Sequence, residues 1–120
     1  MRSLVIVACL GAALALVAPS AARADHGFKK CGDQARPGAG WYEARAYKVP
    51  CREAKRVARW VVRHIGKVGK RHRYRVPARG SNMPNWKCRW RRTGYELTFH
   101  SCTRKSPRKG HQHVRFLLGA

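Results

Sequence analysis

Residues 50–65, PCREAKRVARWVVRHI, decide how the rest of the chain has to pack. Pro50 suits the entrance of a helix, where a missing N–H costs nothing. Glu53 follows it, favourable beside the positive helix end. Cys51, Ala54, Val57, Ala58, Val61 and Ile65 then recur at helical spacing on one face. Arg52, Arg56, Arg59 and Arg63 fall on another, with Lys55 nearby. The spacing predicts one amphipathic helix over 51–65, ended by Gly66 and Gly69. Cys51 lies on the apolar stripe and would tie the helix to whatever it covers.

The partner for that stripe lies downstream. Residues 67–85 form a long connection with turn signals at Gly69, Pro77, Gly80, Ser81, Asn82 and Pro84, in which Tyr74 and Val76 mark at most a brief edge strand. Trp86, Cys88 and Trp90 then alternate with Lys87, Arg89 and Arg91, the period of a half-buried strand. After a Thr93-Gly94 turn, 95–102 reads as a second strand, with Tyr95, Leu97 and Phe99 on one face and Glu96, Thr98 and His100 on a wet one. Cys102 is out of phase with the first three, so either a bulge intervenes or Cys102 points away from them. A basic loop over 103–110 leads to a last strand, 113–118, with Val114 and Phe116 inward. Upstream, 41–49 reads as a short strand and 25–40 as an irregular arm pinned by Cys31. The expected fold is α+β: one amphipathic helix on a small antiparallel sheet of three to four strands, in a single domain over 41–120. The helix stripe and the Trp86/Cys88/Trp90 face would bury each other, leaving the opposite sheet face basic and wet.

The first 24 residues read differently from the rest. Arg2 is followed by an apolar run from Leu4 to Val17, and Pro19 and Ser20 precede Ala22-Arg23-Ala24. This is the pattern of a cleavable secretory signal, cut after Ala24. The run is shorter than the roughly 20 residues of a membrane-spanning helix, so the expectation is a secreted chain without a transmembrane segment. Cys9 would be discarded, leaving Cys31, Cys51, Cys88 and Cys102. An even count in an exported chain points to two structural disulfides, and the spacing leaves all three pairings open. No C-x-x-C pair argues for zinc.

The motif string Cys51-x-x-Ala54-x-x-Val57-Ala58, then Asn85-Trp86-x-Cys88, then Cys102 resembles a group of small secreted cysteine-containing proteins of high-GC Gram-positive bacteria. The resemblance covers roughly residues 49–116 and implies a cystine-bearing helix-on-sheet fold. It brings no catalytic residues with it.

Charge is the other dominant fact. The chain carries 27 Lys plus Arg against 5 Asp plus Glu, a formal net charge of +22. Such an excess attracts polyanions, and the attraction weakens steeply with salt. The reading is a non-catalytic domain that binds nucleic acid, anionic wall polymer or acidic protein at or beyond the cell envelope. Its contacts would be Arg52, Arg56, Arg59, Arg63, Lys67, Lys70, Arg71, Arg73 and Arg75. One alternative is a secreted ribonuclease-like enzyme using Glu96 and His100 as a proton-handling pair. Another is a protein inhibitor presenting 67–85 on the disulfide scaffold. His111-x-His113 and His26 supply too few fixed ligands to argue for a metal, and no motif calls for a cofactor. Titration of these histidines would add charge as pH falls through about 6.5.

Overall fold

The structure, a computed structural model, describes residues 27–34, 40–80 and 82–119. The secretory signal expected over 1–24 lies outside the described residues. Eight elements follow in order: β1 (Lys29–Gln34), β2 (Trp41–Tyr47), α1 (Cys51–Arg63), α2 (Ile65–Val68), β3 (Arg73–Val76), β4 (Trp86–Arg92), β5 (Leu97–Ser106) and β6 (Gly110–Gly119). The six strands form one antiparallel sheet in the order β1-β2-β6-β5-β4-β3.

The expected α+β fold of three to four strands is therefore corrected: the domain is mostly sheet. The extra strands are the two edges. β1 occupies the arm read as irregular, and its sequence KKCGDQ buries only Cys31. An edge strand needs only backbone hydrogen bonds to its neighbour, and these leave no periodic trace in the side chains. β3, the brief strand at Tyr74 and Val76, is the other edge and pairs with β4 from Arg73↔Arg89 to Val76↔Trp86. The basic loop of 103–110 is also corrected. β5 and β6 pair from Leu97↔Gly119 to Ser106↔Gly110, leaving only Pro107, Arg108 and Lys109 as a turn. Gly110 closes that turn at φ 69°, a left-handed value that glycine adopts without strain.

α1 forms as its periodicity required. Pro50 stands at the N-cap with φ −64°, and its carbonyl accepts the Glu53 and Ala54 N–H groups. Ala54, Val57, Ala58 and Val61 are fully buried. Ile65 is not: the helix breaks at His64, and Ile65 is left 50% exposed while Val68 of α2 enters the core instead. α1 meets β1, β2 and β6, and also β3 at the far edge, so the sheet curls around it. The core beneath it contains Trp41, Ala44, Ala46, Val76, Trp86, Val114, Phe116 and Leu118.

Two disulfides settle the open pairing. Cys31–Cys51 ties β1 to the first residue of α1. Cys88–Cys102 bridges residues directly opposite on β4 and β5, with Cα atoms 4.1 Å apart. Cys102 is therefore on the inner face with His100, pointing away from Leu97 and Phe99, and no irregularity interrupts the β4–β5 pairing. Among the described residues no helix is long and apolar enough to cross a membrane.

Candidate functional site

Inside the curled sheet, polar chemistry is locked into structure. His100 was expected on a wet face beside Glu96. It is 1% exposed, stacked on Phe116 with ring centroids 5.1 Å apart. Its Nδ1 lies 2.6 Å from the Tyr74 hydroxyl and its Nε2 2.9 Å from Thr98 Oγ1, so both ring nitrogens are engaged. Burial holds the imidazole down to about 4, neutral at physiological pH, and pushes the Tyr74 phenol well above its usual range. Glu96 stays exposed in the bend before β5. The structure does not bring the two together on one accessible face. The reason is the phase of β5: the disulfide partner Cys102 faces inward, and residues two apart share a face.

Glu53 is a second internal hub. Its carboxylate accepts from Arg56 Nη2 at 2.6 Å and from Trp86 Nε1 at 3.2 Å, and Arg104 Nη1 lies 3.8 Å away. Burial alone would raise its pKa, but the Arg56 and Trp86 hydrogen bonds and the two guanidinium charges win and lower it. Arg56 also donates to the Pro77 carbonyl at 3.1 Å. It therefore serves first as a structural clamp between α1 and the segment after β3.

The outer face of the sheet is different. Ladder register places Arg45 of β2 opposite Arg115 of β6, Arg115 opposite Ser101 of β5, Ser101 opposite Arg89 of β4, and Arg89 opposite Arg73 of β3. Four arginines thus stand in one row, crossing five strands, a span of roughly 19 Å at the usual strand spacing. The rows on either side are Tyr47, His113, Thr103, Lys87 and Arg75, and Tyr42, Leu117, Phe99 and Arg91. Guanidiniums lie over aromatic faces here: Arg115 over Phe28 at 4.4 Å and Arg91 over Phe99 at 4.9 Å. Like charges directly opposite across a ladder repel, as Arg89 and Arg73 do here.

At the centre of the row, Ser101 Oγ lies 2.7 Å from His113 Nε2. Partial burial, with Arg115 and Arg89 close by, pushes His113 down to about 4. Its titration therefore does not add charge near pH 6.5, contrary to the expectation from its unperturbed value. Among the described residues no carboxylate hydrogen-bonds His113 as the orienting third member of a nucleophilic site would. Nor do the described residues contain a cluster of three or more potential metal ligands.

The nine cations expected as polyanion contacts fall into three groups. Arg52, Arg56 and Arg59 line a concavity beside the N-terminal end of α1, with Arg59 Nε donating to the Lys55 carbonyl of its own helix at 3.3 Å. Arg73 and Arg75 belong to the outer sheet face. Arg63, Lys67, Lys70 and Arg71 are exposed at the end of α1, on α2 and in the turn after it. That turn is fixed by Trp90, whose indole donates to the Arg71 carbonyl at 2.8 Å and whose ring stacks on His72. Sequence reading missed the row itself. The alternation of Lys87, Arg89 and Arg91 signalled an outward basic strand, but nothing local says that Arg45, Arg115 and Arg73 stand in register with it. No family model matches the chain, and neither a curated protein nor a solved structure does.

Proposed function

We propose that this protein is an exported, non-catalytic domain that binds extended polyanions on the outer face of its sheet. The observation that carries the reading is the row Arg45–Arg115–Ser101–Arg89–Arg73, flanked by Lys87, Arg75 and Arg91. A fold that places four arginines along one row of the sheet gains stability whenever an anionic chain lies over them. The aromatic rings beneath Arg115 and Arg91 hold the guanidiniums against the sheet and offer stacking surfaces besides. The two disulfides fit an oxidising compartment outside the cytosol. They also hold together a chain whose net charge of +22 opposes compaction.

Salt-resolved binding to single-stranded DNA and to anionic wall polymer tests this. Binding should weaken linearly in log–log coordinates with salt, because neutralised phosphates release counterions. Arg89→Ser with Arg115→Ser should lower the magnitude of the slope on single-stranded DNA by about 1.4. An unchanged slope in that double variant would remove the sheet face as the contact surface. Binding that persists undiminished at high salt would remove the electrostatic reading altogether.

A further inference from the structure

On the opposite side of the sheet from the arginine row lies a pocket of about 790 Å³. It is walled by the start of α1, by the segment after β3 and by the β5–β6 turn. Seven of its lining residues are cations and one, Glu53, is a carboxylate. That carboxylate already serves Arg56, Trp86 and Arg104. Among the described residues the side-chain cations of Arg52, Arg79, Arg108 and Lys109 have no carboxylate or hydrogen-bond partner. They converge on a concavity, where low-dielectric walls concentrate their field.

The floor of the pocket is built rather than merely charged. Arg104 has a side chain only 7% exposed. Its guanidinium lies 4.2 Å over the Trp86 ring, and its Nε donates to Gln112 Oε1 at 2.7 Å. Gln112 in turn donates through Nε2 to the Lys48 carbonyl at 2.7 Å. The Trp86 ring and the anchored Gln112 therefore fix the plane of Arg104. Its Nη1 stands 3.8 Å from Glu53 Oε1, an ion-pair distance, and Arg104 lines the pocket. A guanidinium held in a fixed plane at a pocket wall can offer its fork to an anion with little further ordering of the side chain.

The shape selects the kind of anion. Guanidinium forks match phosphate and carboxylate oxygens in two-point contacts. Several forks converging on one small volume need several charges close together. A polymeric diester spreads its charges along a chain and suits the flat row on the other face. Val49, Met83 and Pro107 supply apolar wall, and the volume lies in the range of pockets that take small organic ligands. We propose that this pocket binds a compact oligophosphate, either a short inorganic chain or the terminal phosphates of a nucleotide, independently of the polyanion surface.

The test is calorimetric titration of the disulfide-bonded protein with inorganic tripolyphosphate at about 150 mM salt, where long-range attraction is screened. One saturable site per chain is expected. Arg52→Ser with Arg108→Ser, both exposed and remote from the core, should weaken it at least tenfold. Arg104→Lys keeps the charge but loses the fork and should also weaken it about tenfold. Arg89→Ser with Arg115→Ser removes the same charge from the outer face and should leave it within twofold, while lowering DNA affinity. ATP in place of tripolyphosphate identifies the source: comparable affinity extends the site to nucleotides, and loss of binding confines it to inorganic chains. Absence of saturable tripolyphosphate binding overturns the proposal. So does an equal loss in the two charge-matched double variants, which would mean net charge alone is responsible. Either failure leaves the DNA result on the outer face standing or falling separately.

Discussion

Acidification should destabilise this protein through a buried histidine. His100 is held neutral in the core, pushed down to about 4 by burial, against a usual value of 6.5. The unfolded chain therefore takes up a proton near 6.5 while the folded chain resists until about 4. Stability is complete above the unfolded value and falls as pH drops from 6.5 towards 4, levelling off below that. At about 1.4 kcal/mol per unit, the window corresponds to a loss of about 3 kcal/mol from this one residue. Much of that loss precedes any contribution from Glu53. Glu53's lowered pKa adds stability that persists until pH falls below the usual carboxylate range. The assay is urea denaturation at pH 7, 5.5 and 4.5 for the native sequence and for His100→Gln, which keeps polar atoms near Tyr74 and Thr98 but cannot titrate. The variant should start less stable and lose about 2 kcal/mol less over the same interval. His113 titrates in the same direction in both proteins, so the difference between them isolates His100. Equal losses in the two proteins would refute the account of a buried neutral imidazole.

Other consequences follow from the same geometry. Removing Cys88–Cys102 frees a loop of 14 residues and removing Cys31–Cys51 one of 20, each worth about 3 kcal/mol by loop closure. Hydrogen exchange should separate them: Cys31→Ser with Cys51→Ser exposes β1 first, whereas Cys88→Ser with Cys102→Ser lowers protection across the whole sheet. Glu53→Gln leaves Arg56 and Arg104 facing one another without their carboxylate, and should cost about 2 kcal/mol in denaturant unfolding. Arg89→Ser should do the reverse and stabilise the free protein by a few tenths of a kcal/mol at low salt, because it stands opposite Arg73. That gain should vanish in high salt; a destabilising effect at low salt would show that the row is not under repulsion.

How much was readable beforehand differs by element. The 3.6-residue stripe of 51–65 located α1 to within two residues, because helical periodicity is written in every turn. The Trp86/Cys88/Trp90 alternation located β4 and its inward face for the same reason. His100 misled, because 95–102 was phased on Leu97 and Phe99. The apolar character of those two residues suggested the core, whereas the disulfide at Cys102 fixed the opposite phase. Phe99 instead supports Arg91 on the outer surface. β1 left no trace, since a strand bound by its backbone along one edge needs only one buried side chain.

By itself the sequence determined the helix, the inward face of β4, the number of stapling cysteines and the one-sided charge. Each of these is a local period or a simple count. Tertiary structure alone decided which cysteines pair, that six strands curl around the helix, and that the arginines divide between a flat row and a walled pocket. Those outcomes depend on ladder register between segments far apart in the chain. Register is set by backbone hydrogen bonds that every residue type can make.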